Sequence, residues 1–107
     1  MPEPDFSVSS VNHRALGKLI KLQFAQDFVL RLTQAEASSL SFALVAVRAG
    51  ISPEREIYMS PIASDADFSG EVKDSGMSIS TGKEVLDLSW ENVGKLAQAL
   101  AEAIEAA

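Results

Sequence analysis

The sequence predicts an α+β domain in which a mostly antiparallel sheet carries two helices on one face. Short runs of alternating apolar and polar residues indicate half-buried strands, and two longer runs with helical periodicity each follow such a strand directly. Together they describe two β-β-(β)-α halves, residues 1–49 and 50–107, in a pseudo-repeat. The connection at residues 50–54 is too short for an interdomain linker, so we expect a single domain, 1–107, whose halves share one core.

Both predicted helices begin at a hydroxyl-bearing cap residue. Thr33 precedes the first helix, and Glu36 three positions later completes a capping box. This helix is expected to end before Gly50, because glycine commonly follows the last helical turn. Ser89 precedes the second helix, which continues close to the carboxyl end of the sequence.

Before each helix the sequence predicts a hairpin of two strands, with short turns at residues 25–27 and 81–83. Pro61 is expected to place its strand at a sheet edge or to end that strand early, since proline has no N–H to donate to a neighbouring strand. The predicted strands span residues 6–11, 20–24, 28–32, 56–62, 68–73, 77–80 and 85–88.

The two halves align with an offset of 56 residues, which places Thr33 on Ser89 and Leu40 on Leu96. Leucine, alanine and valine are common, and any strand–cap–helix unit shows part of this match. The alignment therefore predicts a shared local architecture and leaves open whether the halves arose by duplication.

Charge is distributed unevenly along the chain. The formal net charge is −6, with four acids and five bases in residues 1–49 against eleven acids and four bases in residues 50–107. Nucleic-acid binding requires clustered lysine and arginine for the phosphates. We therefore expect no nucleic-acid partner.

Three features predict a cytoplasmic protein with no membrane partner. Residues 1–10 contain no basic stretch followed by an apolar run, as a secretory signal would. No apolar run approaches the ~18 residues of a membrane span. The chain contains no cysteine, which excludes disulfides and thiolate ligands and fits a reducing compartment.

The first predicted helix is apolar on two faces, whereas the second carries one apolar stripe. Phe42, Val45 and Ala49, together with Ser38, project from the side opposite the expected core stripe. One interpretation is that the second helix or the strand at residues 6–11 covers this side within the chain. The other is a contact with another molecule, most simply a symmetric homodimer.

Gly94 in the second helix aligns with Ser38 of the first. A glycine in the middle of a helix costs about 1 kcal/mol relative to alanine. Close approach of another backbone at this position would account for the glycine, and neutral drift would account for it equally well.

The segment that most resembles a ligand-binding motif is acidic. Residues 65–71 place oxygen donors at Asp65, Asp67 and Ser69, as in the first part of a calcium loop. The twelfth position of such a loop requires an acid, and Gly76 stands there instead. The sequence leaves open whether this segment binds a cation.

No set of residues points to an enzyme mechanism. His13 is the single histidine and has no acid or nucleophile near it in sequence, and glycine-rich phosphate loops are absent. We therefore predict no catalytic residue, no metal ligand and no cofactor.

The sequence favours a small non-catalytic protein-interaction module that is homodimeric or binds another protein. The predicted interface consists of Phe42, Val45, Ala49 and Ser38. The alternative is a small-molecule binding domain or minor enzyme with a pocket between sheet and helices, near Trp90.

Overall fold

The computed structural model describes residues 6–24, 28–64, 66–80 and 85–106. The turns predicted at residues 25–27 and 81–83 lie outside these ranges. In chain order the described elements are β1 (Phe6–His13), β2 (Gly17–Phe24), β3 (Phe28–Thr33), α1 (Gln34–Arg48), β4 (Glu56–Met59), β5 (Phe68–Val72), β6 (Gly76–Ser80), β7 (Val85–Ser89) and α2 (Trp90–Ala106).

The α+β class and the order of the two halves are confirmed, but the strands divide into two sheets. The first half forms a three-stranded antiparallel meander, β1–β2–β3, and the second a four-stranded antiparallel meander, β4–β5–β6–β7. Each strand pairs with its neighbour in sequence, so each sheet is completed locally. β4 ends at Met59, two residues before Pro61, in agreement with the expected edge position.

The start of α1 is fixed by the predicted capping box. The Thr33 hydroxyl oxygen accepts a hydrogen bond from the Glu36 N–H at 3.1 Å, and the Glu36 carboxylate accepts from the Thr33 N–H at 2.8 Å. The second carboxylate oxygen of Glu36 accepts from the Ile62 N–H at 3.0 Å. Glu36 therefore holds the segment after β4 against the beginning of the helix.

A Schellman motif ends α1 where the sequence predicts. Gly50 has a φ of +73°, and its N–H donates to the carbonyl of Val47 at 3.2 Å. The N–H of Ile51 donates to the carbonyl of Ala46 at 3.0 Å. These bonds satisfy carbonyls that the helix leaves without intrahelical partners.

One cluster of buried apolar side chains joins both sheets and both helices. α1 packs on β2 and β3. α2 packs on β1, β6 and β7, and to a smaller extent on β2, and it also packs against α1. The side chains with the lowest exposure include Ile20, Leu22, Phe24, Leu30, Leu32, Leu40, Leu44, Phe68, Ile79, Val93, Leu96 and Leu100.

Polar contacts lock the two helices together in antiparallel orientation. The Ser41 hydroxyl donates to the carbonyl of Ala97 at 2.9 Å, and Nε of Arg48 donates to the carbonyl of Trp90 at 2.8 Å. A Cβ placed on Gly94 would lie 2.9 Å from Nε of Arg48. The close approach at Gly94 is thus made by a side chain of the same protein, not by another backbone as the sequence suggested.

This arrangement predicts that the effect of Gly94→Ala depends on Arg48. In the native background the new methyl group must displace Arg48 from its bond to Trp90, which offsets the gain in helix propensity. In an Arg48→Ala background the obstacle is gone, and we expect Gly94→Ala to raise the free energy of unfolding by about 1 kcal/mol. Urea denaturation of the native chain, the two single variants and the double variant measures the effect of Gly94→Ala in each background. An equal effect in both backgrounds would contradict the contact between Arg48 and Gly94.

Candidate functional site: the outer face of the first helix

The outer face of α1 presents an apolar stripe to solvent. We define the α1 stripe as Ser38, Phe42, Val45 and Ala49, the four residues that the sequence predicts as an interface. Phe42 is 78% exposed and Val45 is 53% exposed, and both end residues are exposed as well. Residues three and four apart on a helix are surface neighbours, so these side chains form one continuous row.

The interpretation in which α2 or β1 covers this row within the chain is wrong for the described residues. α2 packs against the adjacent side of α1, where Ser41 meets Ala97. β1 contacts α2 and β2 but is not among the elements packed on α1. Phe42 and Val45 therefore keep most of their apolar surface uncovered.

The α1 stripe is also free of charge. Residues 37–47 contain no acidic or basic side chain, whereas α2 places Glu91, Lys95, Glu102 and Glu105 on its solvent side. Solvated helices usually carry charge on their outer faces. Depletion of charge around an exposed aromatic residue is typical of the centre of a protein–protein interface.

Ile51 extends this apolar surface, and sequence reasoning missed it. The residue is 78% exposed, and the Schellman motif returns it to the last turn of α1, beside Ala46. The sequence does contain a signal for Ile51: an apolar residue directly after a helix-ending glycine commonly contacts the final helical turn.

Trp90 closes the end of the core. Its ring packs against the buried cluster, and its indole N–H donates to the carbonyl of Asp74 at 2.9 Å. Three cavities, of about 310, 350 and 520 Å³, lie elsewhere on the described surface: the first two are lined by strands of the second sheet and their connections, and the third by Val8 of β1 and the flank of α2. Trp90 is not among the residues that line these three cavities, and the pocket expected near it stays a prediction.

The acidic segment at residues 65–71 continues into a strand. Asp65 lies outside the described residues. Phe68 is fully buried at the start of β5, and Ser69 and Glu71 follow it in the strand, facing away from the core. Gly76 begins β6. The described part of the segment thus has extended geometry, whereas a calcium loop must wrap around the ion.

His13 stabilises the first hairpin. Its Nδ1 accepts hydrogen bonds from the N–H groups of Ala15 and Leu16 at 3.1 and 3.0 Å. Among the described residues no polar or charged side chain is buried, and no three acidic or histidine residues converge as metal ligands would.

A hydrogen bond raises the pKa of Tyr58, the single tyrosine of the chain. The Tyr58 hydroxyl donates to the Asp67 carboxylate at 2.6 Å. This bond, with desolvation and the nearby negative charge, raises the pKa of Tyr58 above 10.0. Because the raised pKa reflects a stabilised neutral phenol, the contribution to stability is present below pH 10 and is lost as the pH rises through the pKa of the folded protein.

Titration of the phenolate absorbance tests this geometry without interference from other tyrosines. We expect a midpoint above pH 10.0 for the native chain. Asp67→Ala removes the acceptor and its charge, so its midpoint should fall towards 10.0. Identical midpoints for the two proteins would show that the Tyr58–Asp67 bond is not formed in solution.

Comparison with protein families, curated proteins and solved structures found no match. Neither α1 nor α2 is both long and apolar enough to cross a bilayer.

Proposed function

We propose that this protein is a non-catalytic protein-interaction module that pairs with a second copy of itself through the α1 stripe. The observation that carries the proposal is the exposure of Phe42 and Val45 in the middle of a charge-free helix face. An exposed apolar patch rimmed by uncharged polar residues marks an interaction site rather than a solvated surface.

The order of residues along the stripe favours a second copy as the partner. Ser38, Phe42, Val45 and Ala49 run small–large–large–small, symmetrically about the point between residues 43 and 44. In two antiparallel helices related by a two-fold axis through that point, Phe42 lies opposite the partner's Val45. Ser38 then lies opposite the partner's Ala49. A two-fold interface requires this self-complementarity, because the same surface is used by both copies.

The size of the apolar surface is sufficient for the centre of a modest interface. Phe42, Val45 and Ile51 together expose on the order of 300 Å². A standard interface buries roughly 800 Å² per partner. Exposed uncharged residues beside the stripe, among them Ala35 and Ser39 on α1, would supply part of the rim. Affinity in the micromolar range is therefore expected.

Sedimentation equilibrium of the full chain across micromolar concentrations tests the proposal. We expect the mean mass to rise with concentration from that of one chain to that of two. A mass that stays at one chain throughout would overturn the proposed self-association. A mass beyond two chains would contradict a closed two-fold pair.

A further inference from the structure

The outer edge of β1 carries backbone groups with no partner among the described residues. Both backbone groups of Arg31 in β3 bond the Ser64 hydroxyl, so they point away from β2. Along an antiparallel strand, successive residues direct their backbone N–H and C=O groups to opposite sides of the strand. Lys21 lies opposite Arg31, whose backbone groups point away from β2, so the N–H and C=O of Lys21 point to Ser9 of β1. The residues on either side of Ser9, Val8 and Ser10, therefore point their N–H and C=O groups away from β2, to the open edge of the sheet.

This edge lacks the features that normally block strand addition. β1 is eight residues long and contains no lysine, arginine, acid or proline. By contrast, Ser64 occupies the outer edge of β3, and the edge strands of the second sheet are short and include Glu56 in β4 and Asp87 in β7. Native sheets protect their edges with charges, proline, short strands or covering loops. Among the described residues, β1 has none of these.

A groove runs beside the open edge. It has a volume of about 520 Å³ and is bounded by Val8 of β1 and the flank of α2 opposite α1. The small apolar side chains of Ala99 and Ala103 form part of its wall, and Lys95, Gln98 and Glu102 complete it. Val8 is only partly buried, so the core is incompletely covered on this side.

We propose that β1 binds an extended peptide segment of another protein by strand addition. Main-chain hydrogen bonds to the open edge supply affinity, and every second side chain of the peptide enters the groove beside Ala99 and Ala103. The alanine side chains in its wall favour small or medium apolar residues at these alternate positions. The inference goes beyond the proposed function, because it uses a surface separate from the α1 stripe and does not require self-association.

The position of α2 favours a single peptide strand over a second copy of β1. Paired strands lie ≈ 4.8 Å apart, whereas packed helices need 8–10 Å between their axes. α2 packs more extensively on β1 than on β2. A two-fold pairing of β1 with β1 would bring both copies of α2 to the same side of the joined sheet at too short a distance. A peptide without a helix of its own avoids this clash.

Selection from a displayed library of random ten-residue peptides tests the inference on the full chain. We expect enriched peptides with alternating apolar residues and a Kd in the micromolar range. Ser10→Pro should weaken their binding at least tenfold, because it removes an edge N–H that bonds no other described residue. Circular dichroism melting of Ser10→Pro establishes that the variant is folded.

N-methylation of the selected peptide provides a test that needs no protein variant. In a paired strand, alternate amides face the partner, so methylation at every second position should abolish binding and methylation at the others should not. Uniform tolerance of methylation would overturn the inference, as would a library that yields no binder. Binding should be unchanged in Phe42→Glu; its loss there would place the peptide on the α1 stripe instead. A monomeric native chain would contradict only the proposed self-association.

Discussion

Phe42→Glu is expected to weaken self-association about a thousandfold while leaving the fold intact. A central aromatic residue in an interface contributes about 2 kcal/mol or more, and a two-fold pair contains it twice. About 4 kcal/mol corresponds to nearly three orders of magnitude in Kd. Because the side chain is 78% exposed, the substitution removes little from the core of the single chain. Sedimentation equilibrium gives the Kd, and thermal melting monitors the fold.

Val85 offers a matched control for this experiment. It is 62% exposed, comparable to Val45 at 53%, but it lies on β7, away from α1. Val45→Glu should therefore weaken association strongly, whereas Val85→Glu should leave the Kd within about twofold. Equal effects of the two substitutions would mean that added negative charge, and not the α1 stripe, controls association. Unfolding of Phe42→Glu would contradict the exposed position of that ring.

Gly76→Ala is expected to lower the free energy of unfolding more than the alanine substitutions at Gly50 and Gly94. Gly76 has a φ of +155°, and a Cβ there would lie 1.8 Å from the carbonyl oxygen of Leu88. The obstacle is backbone of the paired strand, so β6 and β7 must separate to relieve it. Met77 and Leu88 on these strands belong to the buried core. We expect a loss of about 3 kcal/mol or more, measured by urea denaturation.

Gly50→Ala separates steric collision from backbone strain. Gly50 also has a positive φ, +73°, but no atom lies within 4 Å of a Cβ built on it. Its substitution should therefore cost about 1–2 kcal/mol, the strain of a left-handed residue alone. If Gly76→Ala were no more destabilising than Gly50→Ala, the close contact between β6 and β7 would be wrong.

Local signals were sufficient for most of the fold. Thr33 and Glu36 predict the start of α1 because the capping box is formed by residues three apart. Gly50 predicts its end because the last turn requires a left-handed residue. Alternation predicts the strands because each sheet buries one face. These features depend on contacts between neighbours in sequence.

Features that depend on distant residues were not predicted. Alternation fixes which face of a strand is buried but not how the strands divide between sheets, so one sheet was expected where two form. Gly94 faces Arg48, 46 positions earlier, and Gly76 faces Leu88 across a hairpin. The exposure of Phe42 was equally undetermined, because it depends on which side of α1 receives α2. The open edge of β1 depends on strand order in the same way.

Single-cysteine crosslinking tests the two-fold α1 pairing most directly, since the native chain contains no cysteine. In the proposed pair, Ser38 lies opposite the partner's Ala49, while identical residues are about 16 Å apart along the helices. A disulfide needs Cα atoms within roughly 7 Å. Mild oxidation should therefore link an equimolar mixture of Ser38→Cys and Ala49→Cys chains into mixed dimers, and leave each variant alone largely unlinked. Equal crosslinking of Ser38→Cys with itself, or none in the mixture, would contradict the pairing.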